Sequence, residues 1–157
     1  MLFFLLLGLA AGTSYIILNP PLAQGAVYFT PDEKTVLLSI GNRAFGEITI
    51  KDVAVNGDEK PLHTVMQLSN ALNGFILIPG FEQKGHSTVS EFMPINEVAI
   101  PSRSAPKETY EKMDKGLATA EDKIFGVGAV HEQEIREITI RYSYLGLPFR
   151  KTVNLEM

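Results

Sequence analysis

The chain has 157 residues, with 14 Lys+Arg, 18 Asp+Glu, no Cys, no Trp and a formal net charge of −4. That length fits one domain. The acidic balance argues against a nucleic-acid surface, which needs clustered Lys and Arg, and the lack of cysteine excludes a disulfide framework, thiolate metal ligands, a cysteine nucleophile and a lipid-modified N-terminal cysteine.

Charge is unevenly spread. No Asp, Glu, Lys or Arg precedes Asp32, and beyond it basic residues alternate with acids, as in Lys107-Glu108 and Glu111-Lys112. The run that opens at Leu2 and closes at Leu18 (LFFLLLGLAAGTSYIIL) is uncharged. As a helix it would extend about 25 Å at ~1.5 Å per residue, at the short end for a hydrocarbon core of ~30 Å. Asn19-Pro20-Pro21 stops such a helix, because proline lacks the amide donor and clashes with the preceding turn. Two readings follow. Residues 1–25 act as a signal anchor, giving a single-pass cell-membrane protein whose body, 26–157, lies outside the cytoplasm. Otherwise they are a signal peptide cut after Gly25, where Ala23 and Gly25 supply the small residues expected, and the body is secreted. The basic segment that usually precedes such a run is missing. A helix buried in a soluble body fits poorly, since a run apolar on all sides needs complete burial. Gly8, Ala11, Gly12, Thr13 and Ser14 are the small residues along which this helix would pack on a membrane partner.

The body carries mostly strand signals. Residues 26–30 (AVYFT) form a short β-prone run, followed by a turn at Pro31-Asp32-Glu33. Residues 35–40 (TVLLSI) read as a compact apolar strand, with Gly41-Asn42 as a turn or bulge. In 45–55 (FGEITIKDVAV), Ile48 and Ile50 share a face, but Val53 and Val55 have the opposite parity. One extra residue near Lys51-Asp52 restores them to that face, which predicts a β-bulge or break there. Asn56-Gly57 is a tight-turn signal. Residues 64–68 and 75–78 (FILI) are further strands. In 137–144 (EITIRYSY), Ile138, Ile140, Tyr142 and Tyr144 alternate with Thr139, Arg141 and Ser143, and 149–155 returns after the turn at 145–148, a C-terminal hairpin. EITI also occurs at 47–50, without similarity around it.

Residues 80–134 read differently. Pro94, Pro101 and Pro106 break the segment. Ser104-Ala105-Pro106-Lys107-Glu108 predicts a helix start with a serine cap, Gly116 its stop, and Tyr110, Met113 and Leu117 its apolar stripe. A stretch of this length without strands is often functional.

Chemical motifs are weak. The histidines are His63, His86 and His131; in His131-Glu132-Gln133-Glu134 the second histidine of an HExxH zinc helix would fall at Ile135. No G-x-S-x-G occurs for a serine nucleophile. Gly126-Val127-Gly128-Ala129 lacks the Lys-Ser/Thr of a phosphate loop and reads as the approach to a strand. Glu82, Glu91, Glu97 and Glu132 form no recognisable carboxylate pair. Tyr142, Tyr144 and Phe149 read as cross-strand packing. No catalytic, cofactor-binding or metal-ligating residue is assigned.

In FGEITIKDVAVNG and ITIRYSYLGLPFRKTVNL the body resembles bacterial extracytoplasmic immunoglobulin-like or fibronectin-III-like modules, without the cysteines and tryptophan of antibody domains. The expected fold is mainly β: an antiparallel immunoglobulin-like β-sandwich with a helical insertion at about 80–134, preceded by the hydrophobic helix. The expected function is a non-catalytic extracytoplasmic binding or assembly module. It meets the membrane through Leu2 to Leu18, and a protein partner through an edge strand or the 80–134 stretch. The alternatives are a cell-envelope metal-dependent hydrolase built on His86, Glu91, His131 and Glu132, and an accessory or sensor subunit of a membrane complex.

Overall fold

The computed structural model describes residues 14–16, 18–82 and 90–155. They form two antiparallel sheets. The first has five strands: β1 (Leu22–Phe29), β2 (Thr35–Asn42), β7 (Lys123–Val130), β4 (His63–Asn70) and β5 (Glu91–Met93), paired in that order. The second has four, in the order β6 (Ala99–Ile100), β3 (Ile48–Val55), β8 (Glu137–Tyr144) and β9 (Leu147–Asn154). One helix, α1 (Pro106–Asp114), lies between β6 and β7 in the chain.

The sheets pack as a sandwich around one apolar layer. Val36, Leu38 and Ile40 of β2 and Phe125, Val127 and Ala129 of β7 face Ile48, Ile50, Val53 and Val55 of β3 and Ile138, Ile140, Tyr142 and Tyr144 of β8. Strand periodicity dictates this, because alternate side chains point to one face. The parity change in β3 is resolved as expected: the β3–β8 register shifts between Ile50 and Asp52, so both pairs of apolar residues reach the core. The C-terminal hairpin also forms, with Tyr144 opposite Leu147 across Leu145-Gly146.

All eight residues of β2 are buried, because its sheet is covered on both faces. On the outer side Leu37, Val65 and Phe81 form a second cluster with Phe75, Leu77 and Phe92. The segment expected as a strand at 75–78 is instead an extended strap laid across this face. Its backbone is met by a side chain rather than by a neighbouring strand. The buried Gln67 amide donates to the Ile76 carbonyl (3.1 Å) and accepts from the Ile76 N–H (2.8 Å) and the Ser90 hydroxyl (3.0 Å).

Three expected boundaries change. The first strand spans Leu22–Phe29 rather than 26–30, with Leu22 fully buried and opposite Asn42. The body therefore starts upstream of Ala26. The insertion is 71–122, the connection between β4 and β7, not 80–134. Residues 123–130, read in part as the approach to a strand, are the central strand of the larger sheet. Glycine suits that centre: a Cβ on Gly128 would lie 2.5 Å from the Phe81 ring and 2.7 Å from Val65, so its absence lets Phe81 lie on the sheet. In α1 the predicted stripe is displaced. Pro106 and Thr109 are the buried residues, while Met113 and Leu117 are exposed. Ser104 does not cap the helix; its hydroxyl donates to the Pro101 carbonyl and accepts from the Asn42 N–H. The stop is as expected, with Gly116 N–H donating to Met113 O and Leu117 N–H to Lys112 O.

The apolar run 2–18 lies outside the described residues except at 14–16 and 18. The Asn19 N–H donates to the Tyr15 carbonyl (3.0 Å) just before the two prolines. No helix of the described residues is long and apolar enough to cross a membrane.

Candidate functional site

Strand direction gives the sandwich two distinct ends. The start of β1, the end of β2, the start of β3 and the β8–β9 turn share one end, as the pairs Leu22–Asn42, Ile48–Tyr144 and Tyr144–Leu147 require. The 56–58 turn and the 131–136 loop share the other.

At that second end lies an open cleft of about 740 Å³, lined by Lys34, Glu59, Glu132, Glu134, Arg136 and Glu137 along with the 56–57 turn. Asn56 builds it. Held at φ 47 before Gly57 at φ 80, it turns the chain and sends its amide across to the facing loop. Its Nδ2 donates to the Glu134 carbonyl (2.8 Å) and its Oδ1 accepts from the Arg136 N–H (2.8 Å). The loop is fixed from the other side by His131 N–H to Lys34 O and Ile135 N–H to Glu33 O, both 2.9 Å. The turn and loop are thus one clamped unit.

Carboxylates dominate this cleft. Glu59 meets His131 Nε2 at 2.8 Å and Glu134 meets Arg136 at 2.7 Å. Glu132 and Lys34 make no ion pair among the described residues. Beside the cleft, Arg141 bridges Asp52 (2.5 Å) and Asp58 (2.7 Å), and Arg150 also reaches Asp58 (3.2 Å). Exposed pairs contribute little stability singly; here they pin Asp58, which stands at φ 75 in the turn.

The residues singled out for hydrolase chemistry do not converge. Glu91 pairs with Leu68, near the first end of the sheet, while His131 follows Val130, which pairs with His63 at the second. The Leu68–His63 interval alone is about 17 Å at ~3.3 Å per residue. Glu132 is exposed in the cleft loop, and His86 lies outside the described residues. Among the described residues no three His, Asp or Glu side chains are grouped to hold a metal.

The first end is apolar. A mostly apolar pocket of about 570 Å³ is lined by Tyr15, Ile16, Pro21, Phe45, Tyr144 and Leu145, and also by Arg43. Its loop is rigid because Asn42, fully buried, ties both limbs: Nδ2 donates to Gly46 O (2.5 Å) and Ile100 O (3.1 Å), and Oδ1 accepts from Ala44 N–H (2.8 Å). Gly41-Asn42 reads in the sequence as a turn or bulge; the bonds to Ala44 and Gly46 are local, but the burial of Asn42 and its bond to Ile100, 58 residues away, come only with the fold.

The sheet edges suit strand addition poorly. β5 and β6 have three and two residues, and the register of β1 shifts between Gln24 and Val27. β9 is long but carries Pro148 and the half-buried Lys151, whose pKa is lowered by burial and by nearby Arg43. Proline and inward-pointing charge are features that discourage edge pairing.

Comparison with known proteins finds no matching family model, no matching curated protein and no matching solved structure.

Proposed function

We propose that the chain is a non-catalytic binding module of the immunoglobulin-like class, held at the outer face of a cell membrane by residues 2–18. It presents the clamped 56–58 turn and 131–137 segment to a protein partner. The observation that carries this reading is the polarity of the sandwich: the uncharged run joins one end, and the charged cleft occupies the other.

Strand order supports the class. β1-β2-β7-β4 against β3-β8-β9 corresponds to the ABED and CFG sheets of a constant-type immunoglobulin sandwich. The crossings agree too: β1 to β2 and β8 to β9 stay within a sheet, while β2 to β3, β3 to β4 and β7 to β8 change sheets. The 71–122 insertion then occupies the D–E connection. Retention is favoured over cleavage, since a cut after Gly25 would sever β1. The excess of carboxylates in the cleft favours a partner segment bearing Lys or Arg.

Protease treatment of intact cells, followed by mass analysis of the membrane fraction, tests the placement. Digestion of the body with residues 2–18 left in the membrane is expected; full protection until lysis would refute it. A photo-cross-linker at position 132 tests the surface. It should capture a partner that Glu134→Lys loses and that the same probe at position 117 never captures.

A further inference from the structure

We infer that the apolar end of the sandwich is itself a membrane-docking surface, which seats the body directly on the lipid bilayer through Phe45 and Leu145. This rests on the anchoring proposed above.

Phe45 is 96% exposed and Leu145 65%, and Tyr15 and Leu18 beside them are 69% and 79% exposed. Phe45 is held outward by a loop whose two limbs are tied to buried Asn42. Leu145 breaks a local rule as well. It occupies the first central position of a two-residue hairpin turn at φ 50, with Gly146 at φ 75. Asn, Asp and Gly are favoured at that position because they tolerate positive φ. A leucine there is disfavoured by backbone and by water alike, so a contact that uses its side chain is the reading that accounts for it.

The occupant follows from chain length. Only residues 19–21 separate Leu18, the end of the apolar run, from Leu22, the start of β1. The four Cα–Cα steps from Leu18 to Leu22 reach at most about 14 Å at ~3.3–3.6 Å each. The headgroup layer is itself ~5–7 Å thick on each side of the hydrocarbon. The tether is shorter still in the fold, because Ile16 packs against the core and Tyr15 and Ile16 line one pocket with Phe45 and Leu145; the end carrying Phe45 and Leu145 is therefore the end held at the interface. Arg43 and Glu47 flank the loop with opposite charges, so the contact is apolar and needs no anionic lipid.

The absence of tryptophan makes the test direct. Full-length Phe45→Trp and Leu62→Trp are each reconstituted into phosphatidylcholine vesicles with and without lipids brominated along the acyl chain. Leu62 is 62% exposed at the opposite end, where its N–H bonds to Val130 O. Phe45→Trp should lose about half its emission to bromine, as for an indole held ~5–10 Å into the headgroup–acyl boundary, and Leu62→Trp should lose none. Phe45→Trp, Leu145→Asn should be quenched less than Phe45→Trp alone. If the chain floats with the vesicles and neither indole is quenched, the docking surface is refuted while the anchor stands. Equal quenching of both also refutes it. A blue shift at position 45 that grows with chain density, without quenching, would assign the surface to a second copy instead. Failure to float with vesicles would refute the anchor, and the docking with it.

Discussion

A body beginning at Ala26, the product of a cut after Gly25, should be much less stable than one beginning at Pro20. The shorter chain loses Leu22, a fully buried core side chain whose removal costs about 2 kcal/mol. It also loses the pairs Leu22–Asn42, Ala23–Gly41 and Gln24–Ile40 and the bond from Arg43 N–H to the Pro21 carbonyl. Those ladder bonds are worth about 1 kcal/mol each, roughly half of the paired positions contributing. The expected deficit is about 4–5 kcal/mol, a large part of the ~5–15 kcal/mol available to a domain. Thermal unfolding of residues 20–157 against 26–157 should show a fall of about 15 °C. Melting temperatures within about 3 °C of each other would refute the reasoning and make a cleaved, secreted body a competent fold.

Leu145→Asn should raise stability by about 0.5–1 kcal/mol in urea unfolding, because asparagine suits the positive φ of the turn and little buried surface is lost; a decrease would contradict this. Gly41→Ala should destabilise by about 3 kcal/mol, since its Cβ would lie 1.9 Å from the Ser104 carbonyl oxygen and push away a segment bonded to both the N–H and the C=O of Asn42. Tyr142→Phe should be neutral or stabilising by up to about 1 kcal/mol. The hydroxyl is buried beside the Leu22 backbone with no hydrogen bond of good geometry among the described residues, and the stacking on Phe149 survives the change. Asp122 has its pKa lowered, first by the hydrogen bond from Lys112 and then by the Thr119 N–H. Its contribution to stability is therefore present above the ordinary carboxylate pKa and is lost as pH falls through the lower folded value. In melting curves from pH 6 down to about 2, Asp122→Asn should decline less steeply below about pH 4 than the parent.

What the sequence made legible is what alternation and turn chemistry encode. EITIRYSY, the parity shift in ITIKDVAV and Asn56-Gly57 each carry their instructions within a few residues, and each folds as read. FILI reads as a strand because an apolar run covering a sheet face looks the same as one within a sheet; the distinction depends on Gln67, eight or more residues away. The Gly-Val-Gly of β7 reads as weak strand because the reason for its glycines, the rings of Phe75 and Phe81 above them, is supplied by the insertion. Of the cleft, only the Asn56-Gly57 turn had a local signal; its facing loop had none. His131-Glu132-Gln133-Glu134 invited comparison with a zinc motif, whereas its loop is positioned by Asn56 and by the backbone of residues 33 and 34, contacts that only the tertiary fold brings about.

The place of β8 in the smaller sheet governs when the domain can exist. It lies between β3 and β9, and without those last two strands β3 keeps only the two-residue β6 beside it. During synthesis Ile48, Ile50, Val53 and Val55 therefore wait without a long partner strand until β8 has emerged. Only the β1–β2 and β8–β9 hairpins are local, so folding should be slow for this size, as expected for a topology dominated by remote pairings. Loss of β8 together with β9 would strip β3 of its long neighbour and leave an open apolar strand and a route to aggregation.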